Sequence, residues 1–238
     1  MSKNCNFIAT LSNKKVDGKV VSQKVTIWEW RYKTEQIFIA DYSDKDGEIY
    51  NLLRFNPNSI GADLEILVNG PKNILFWNIN PTDPSACRPY FPLKSKGDKK
   101  EGASSGGNAN TINSKQKSVE YTQSTFLNKA TMAVTATTAG YVIVWDICEA
   151  LCKENEVKTD RRKIKTVQLL NNKKETSDKD IINFLINYND YIVIGSGDGA
   201  IKFYDYKFII VRWFEVCNKI IKINNNKLLI PSFINFHL

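Results

Sequence analysis

One short phrase returns four times along this chain: a strand-forming pair, then Trp or Tyr, an acidic or amide residue, and another apolar or aromatic residue. It reads Thr26-Ile27-Trp28-Glu29-Trp30, Leu75-Phe76-Trp77-Asn78-Ile79, Ile143-Val144-Trp145-Asp146-Ile147 and Lys202-Phe203-Tyr204-Asp205-Tyr206. A strand phrase repeated every several tens of residues is what blades stacked around an axis produce, because each sheet buries its faces only against its neighbours. The sequence therefore predicts an all-β chain, a partial WD40-type β-propeller of about four blades of four antiparallel strands.

The repeated aromatics stand at 28, 77, 145 and 204, at intervals of 49, 68 and 59 residues. A compact four-stranded blade of this kind takes roughly 40 to 45 residues, so the excess has to sit in loops. Lys94 to Lys117 has almost no apolar side chain, and removing its 24 residues leaves 44 between Trp77 and Trp145. Residues 94–117 read as a low-complexity basic loop inserted between blades of a single domain spanning 1–238. The surplus between Trp145 and Tyr204 is assigned to the polar stretches Glu149 to Lys163 and Asn171 to Asp180.

Period-2 alternation and turn chemistry place the strands. The clearest unit runs Ile181 to Asn187, Tyr191 to Gly195, a turn at Ser196-Gly197-Asp198-Gly199, Ala200 to Asp205, and Phe208 to Phe214. Asp-Gly is a strong hairpin signal, since glycine accepts the positive φ of a tight primed turn. The same order recurs as Val119 to Phe126, Met132 to Thr137, Tyr141 to Ile147 and Ile164 to Leu169, and again as Glu48 to Phe55, Leu64 to Val68 and Ile74 to Ile79. Both ends read as cut mid-blade: Phe7 to Leu11 is a second-strand type of segment, and Lys219 to Ile223 with Lys227 to Phe236 reads as the start of another blade.

With 238 residues and 42% hydrophobic content the chain can bury a real core. It has no N-terminal apolar stretch and no run near the roughly 18 apolar residues a membrane span needs. A soluble cytoplasmic protein with no membrane partner is expected. Cys5, Cys87, Cys148, Cys152 and Cys217 are scattered, with no CxxC pair and a single histidine to join them, so reduced structural thiols are expected and no metal.

The formal net charge is +8, and Lys94, Lys96, Lys99, Lys100, Lys115 and Lys117 against Asp98 and Glu101 hold +4 of it. Lys153, Lys158, Arg161, Arg162, Lys163 and Lys165 against Glu154, Glu156 and Asp160 add +3. Such clusters can meet acidic protein surfaces, but neither is interleaved with aromatics as a single-strand-binding platform would be, which argues against nucleic acid.

Catalytic signals are weak. His237, the only histidine, stands one residue from the C-terminus, and no GxSxG, GxxxxGK[ST] or HExxH occurs. Gly195 to Gly199 is glycine-rich, yet no helix follows to lend its dipole to a phosphate, so a hairpin turn is the better reading. Asp41, Asp44, Asp46 and Glu48 resemble part of a calcium loop but lack its twelfth-position Glu, and an acidic turn is preferred. No enzyme activity and no cofactor are expected.

Several phrases carry a resemblance beyond the general repeat. They are Phe55-Asn56-Pro57-Asn58, Tyr121-Thr122-Gln123-Ser124, Ala133-Val134-Thr135-Ala136-Thr137, and Gly197-Asp198-Gly199-Ala200-Ile201-Lys202-Phe203-Tyr204-Asp205 followed by Ile210-Val211-Arg212-Trp213. Their order over Val25 to Val216 resembles the WD-repeat cilia- and flagella-associated proteins of the calmodulin- and spoke-associated complex, and more distantly the echinoderm-type microtubule-associated WD proteins. The resemblance implies a structural component of the ciliary axoneme, at the radial spoke base on doublet microtubules, that supports cilium motility. Its partners would be spoke and doublet proteins, with a possible contact to the acidic tubulin surface. Departures are plain: only Trp145-Asp146 is a true WD pair, and no blade has the histidine that usually joins the Asp, Ser and Trp in a buried hydrogen-bond network.

Trp77, Trp145 and Tyr204 are expected to pack between blades as third-strand anchors. Trp30 beside Arg31, Trp213 beside Arg212, and the basic residues Lys96, Lys99, Lys100, Arg161 and Arg162 are the candidate interaction residues. The reading is a non-catalytic protein-interaction scaffold. The alternative is a basic WD module that binds microtubules or nucleic acid directly through its lysine-rich loop.

Overall fold

The computed structural model describes residues 1–31, 35–42, 48–59, 64–81, 83, 87, 89–93, 119–128, 131–151, 157–170, 181–217 and 233–237. These residues form sixteen strands in four antiparallel sheets, following one another in chain order. The first is β1 (Phe7–Val16), β2 (Lys19–Glu29) and β3 (Glu35–Tyr42). The second is β4 (Leu52–Phe55), β5 (Leu64–Asn69), β6 (Ile74–Ile79) and β7 (Pro89–Tyr90). The third is β8 (Tyr121–Phe126), β9 (Ala133–Thr137), β10 (Tyr141–Leu151) and β11 (Val157–Gln168). The fourth is β12 (Ile182–Tyr188), β13 (Tyr191–Ser196), β14 (Ile201–Tyr204), β15 (Ile210–Cys217) and β16 (Phe233–His237).

The repeated phrase lies on the third strand of each four- or five-stranded sheet, β6, β10 and β14, and on the middle strand β2 of the first. Each sheet is an up-and-down meander, and alternate side chains of the second and third point to the neighbours on either side. Val25 and Ile27 of the first sheet pack on Ile66, Val68, Leu75 and Trp77 of the second. The other face of the second, Leu67, Ile74 and Phe76, packs on Phe126, Ala133, Ile143 and Trp145 of the third. The third turns Val134, Ala136, Val142 and Val144 toward Leu185, Ile192, Ile194 and Tyr204 of the fourth. Many of these side chains are fully buried, each contributing about 2 kcal/mol of hydrophobic stabilisation. Sheets that bury both faces in sequence, one against the next, are propeller blades.

Three blades share an irregularity that alternation does not announce. The strand that follows the phrase strand carries one extra residue opposite the phrase aromatic, with the register shifting between Ile27 and Trp28, between Val144 and Trp145, and between Phe203 and Tyr204. The extra residues are Ile37, Ile164 and Val211, and such a bulge sharpens the strand's twist. Ile164 and Val211 lie exposed, as a residue pushed out of the ladder would.

Three boundaries differ from the sequence reading. The segment read as Phe7 to Leu11 does not end there: β1 continues to Val16 and turns at Asp17-Gly18, with φ of 49° and 77°, into β2. That two-residue Asp-Gly hairpin lets the flanking polar strands stay paired up to Val16 and Lys19. Glu149 to Leu151 and Val157 to Lys163 are not loop, because β10 runs to Leu151 and β11 starts at Val157 and the two pair to those ends, while 152–156 lie outside the described residues. Phe233–His237 does not open a further sheet; it pairs with β15, capping an edge that would otherwise stand open. Lys219 to Ile223, Asn171 to Asp180 and Lys94 to Lys117 lie outside the described residues.

Candidate functional site

The junction between the second and third blades is the most polar part of the interior. Trp145 is buried, and its Nε1–H donates to the Thr135 hydroxyl at 2.8 Å. Thr135 and Ser124 share a hydroxyl bond of 2.8 Å, and the Ser124 hydroxyl donates in turn to Asn69 Oδ1 on the preceding blade. Asn69, Ser124 and Thr135 are all fully buried. The network that the missing histidine put in doubt is therefore present in another form, two hydroxyls spanning the distance from the indole to a neighbouring blade. Buried polar groups of this kind fix register because every one needs its partner.

Arg161 belongs to the same junction. Its guanidinium grips Glu65 with two bonds, Nε to Oε1 at 2.5 Å and Nη2 to Oε2 at 2.7 Å, and Nη1 donates to the Thr131 carbonyl at 2.5 Å. It lies 5.1 Å from the ring centres of both Phe76 and Phe126 and is fully buried. Asn56 Nδ2 donates to Glu65 Oε2 at 2.6 Å, completing the carboxylate's shell. Arg161 is thus not a surface interaction residue: a bidentate carboxylate and two aromatic faces hold it inside.

The other expected residues are divided around the molecule. Trp30 is 41% exposed and Arg31 is exposed at the end of β2, where the Trp30 N–H donates to Asn6 O at 3.2 Å and Arg31 Nη1 to Asn4 O at 3.4 Å. Trp28, on the same face as Trp30, is also exposed at 37%, unlike its buried counterparts Trp77, Trp145 and Tyr204. Arg212 is exposed and Trp213 half-buried on β15, opposite Phe203 and Lys202 respectively. Arg162 is exposed on β11. The structure does not gather these residues into one patch, and Lys96, Lys99 and Lys100 lie outside the described residues, as do Asp44 and Asp46 of the acidic turn.

A larger surface escaped the sequence reading. On the far face of the fourth sheet, turned away from the third, stand Phe184, Tyr191, Ile201, Phe203, Arg212 and Phe214. Phe203 meets Tyr191 and Phe214 edge-on, with ring centres 6.2 and 5.6 Å apart. Phe184 and Ile201 are each 46% exposed and Tyr191 39%. The signal was in the strands: Tyr191-Ile192-Val193-Ile194 and Ile201 with Phe203 make both faces apolar, which marks a sheet meant to lie between two layers. Gly195 on β13 admits Phe184, since a Cβ there would stand 3.2 Å from that of Phe184.

The glycine-rich turn closes on itself. Asp198 Oδ1 accepts from the Ser196 hydroxyl at 2.6 Å and the Ala200 N–H at 3.0 Å, while Gly199 holds φ of 85°. Partial burial pushes the Asp198 carboxyl up, but the Ser196 and Ala200 bonds and nearby Lys202 outweigh it and hold it below its ordinary value. Both bonds lie within its own hairpin. Among the described residues no three of His, Cys, Asp and Glu come together as a metal site. No helix of the described residues is long and apolar enough to cross a membrane. What the arrangement offers is surface, apolar at the end of the blade stack and basic along its rim.

Consecutive meandering sheets stacked face to face, with Trp145 wired to the preceding blade, define the class: a WD-type β-propeller. No family model matches the chain. Its sequence is similar to proteins called Cilia- and flagella-associated protein 251: 32% identical over 219 residues, 90% of this chain, in Tetrahymena thermophila; 30% over 71% of this chain in Chlamydomonas reinhardtii; and 26% over 90% in Mus musculus. The chain spans 19%, 17% and 14% of those relatives' lengths. Among solved structures, the Cps50 (Swd1) β-propeller domain of Myceliophteria thermophila aligns with a TM-score of 0.45 and 10% identity, over 92% of this chain and 57% of that one.

Proposed function

We propose that this chain is a non-catalytic interaction scaffold of the ciliary axoneme, standing at the radial spoke base on doublet microtubules and supporting cilium motility. The observation that carries the scaffold reading is the far face of the fourth sheet, where Phe184, Tyr191 and Ile201 leave apolar area exposed beside Phe203 and Phe214. A contiguous apolar face with an Arg at its margin is the composition of a protein-binding surface. The ciliary part of the reading is supported by the names of the relatives.

The test joins two readouts. A tagged chain expressed in a ciliated cell is expected to crosslink to spoke and doublet proteins and to appear along the axoneme by imaging. The variant Phe184→Asp with Ile201→Asp is expected to lose those crosslinks while keeping its circular dichroism. Exclusion of the wild-type chain from cilia would overturn the ciliary assignment, and unchanged crosslinks in the variant would overturn the role of the face.

The second reading, direct attachment to microtubules through residues 94–117, draws on one contact. Leu93, the residue before that loop, pairs in parallel with Arg162 of β11, which sets the loop's root at the basic rim of the third blade. Cosedimentation with microtubules that falls steeply with salt and disappears on deleting 97–114 would favour it.

A further inference from the structure

Every junction inside the chain joins two unlike faces, and their composition repeats. The residues one and three places before the phrase aromatic face the following blade. Ile27 and Val25 lie against the second sheet, Phe76 and Ile74 against the third, and Val144 and Val142 against the fourth, all of them buried. The phrase aromatic faces the preceding blade: Trp77 packs with Val25 and Ile27, Trp145 with Ile74 and Phe76, and Tyr204 with Val142 and Val144, again all buried. Side chains alternate along a strand, so one strand carries both halves of the design. The two end sheets depart from it in complementary ways. On the fourth, Ile201 and Phe203 hold the positions of Val142 and Val144, yet Ile201 is exposed and Phe203 only half-buried. On the first, Trp28 holds the position of Trp77 and Trp145, on the opposite face of β2 from Ile27, yet it is exposed. One end of the stack displays a face built to receive a phrase aromatic, and the other end displays such an aromatic in solvent.

We infer that two copies of this chain join head to tail, the fourth sheet of each seated on the first sheet of the other, with Trp28 laid over Ile201 and Phe203. The contact continues the series of junctions already present within the chain, and it buries the exposed apolar side chains at both ends of the stack. A tryptophan entering an apolar face is the anchor such an interface needs. Four sheets from each copy make eight blades, within the range in which propellers close. A head-to-tail contact that closes gives a ring, here a ring of two. Two fourth sheets set face to face would instead join like faces, whereas every junction in the chain joins unlike ones. That arrangement would also bring Arg212, exposed opposite Phe203, toward its own counterpart of the same charge.

The inference rests on the scaffold reading in taking the far face of the fourth sheet for a protein-binding surface, and it names the occupant. The full chain is followed by sedimentation velocity across about 1 to 100 μM. Wild type is expected to run as a dimer that grows no further with concentration. Trp28→Asp alone, and Phe184→Asp with Ile201→Asp, are each expected to weaken self-association at least about a hundredfold, since both interfaces of the ring then contain an altered face. Mixed in equal amounts, the two variants are expected to recover a one-to-one pair, held by the single intact interface and at least about tenfold weaker than wild type. That recovery also shows each variant to be folded, and circular dichroism checks it independently. Trp28→Phe, which keeps an aromatic ring, is expected to dimerise. A monomeric wild type, oligomers that lengthen with concentration, a Trp28→Asp variant that dimerises like wild type, or a mixture that stays monomeric would each overturn the inference. The two readings fail apart. A monomeric wild type whose Phe184→Asp with Ile201→Asp variant still loses its crosslinks in the cell overturns the second copy alone, whereas a dimer whose variant keeps every crosslink overturns only the scaffold role of the face.

Discussion

Arg161 and Arg162 are neighbours in the most basic run of the chain, yet one is fully buried and the other exposed, because successive residues of a strand face opposite ways. Sequence could not tell which: the partner carboxylate, Glu65, is 96 positions away and on another blade. Removing the cation alone strands a largely buried carboxylate. Arg161→Leu is expected to cost about 3 kcal/mol, read as the shift in urea midpoint, and Arg161→Leu with Glu65→Leu to recover much of that loss. Tyr204 supplies a pH test. Its hydroxyl donates to the Leu169 carbonyl at 3.1 Å, and burial pushes its pKa up from 10.0 to about 12. The neutral phenol is favoured in the folded state, so the associated stability is complete below pH 10 and declines as pH rises toward 12. Denaturant titrations across that interval should show a fall in stability that Tyr204→Phe lacks.

At the level of strands and turns the sequence was most legible where chemistry is local. β6 matches its expected span, and the third-strand aromatics Trp77, Trp145 and Tyr204 are buried between blades as expected. The Ser196 to Gly199 turn forms because Gly199 takes positive φ with nothing within 4 Å of a would-be Cβ. Gly199→Ala therefore meets strain without a clash, and a loss of about 1 kcal/mol in denaturant unfolding is expected. Where pairing is decided by the neighbouring strand, prediction stopped short. Polar stretches such as Lys14 and Lys15, or Lys158 to Asp160, look like loops until a partner strand satisfies their backbone. The bulges opposite Trp28, Trp145 and Tyr204 were invisible for the same reason, since an extra residue in a ladder exists only relative to its partner.

Across the whole molecule, stability is a chain of junctions rather than one core, and each junction has its own polar fastener. Between the first and second blades it is Gln23, buried, whose amide donates to Tyr50 O at 2.7 Å and accepts from the Tyr50 N–H at 2.7 Å. Gln23→Ala leaves both Tyr50 groups wanting, at about 2 kcal/mol. Amide hydrogen exchange is expected to accelerate in β1 and β2 while β9, β10 and β13 keep their protection, which separates loosening of one blade from global unfolding. Sequence disclosed the repeat but none of these fasteners, because each joins residues tens of positions apart through ordinary amides and hydroxyls. That chemistry matters for the second junction too. Indole, threonine, serine and asparagine, the groups running from Trp145 to Asn69, neither gain nor lose a proton between pH 4 and 9. A propeller seam fastened by an imidazole can be loosened by acidification through its titration, whereas the run from Trp145 to Asn69 offers acid no such handle.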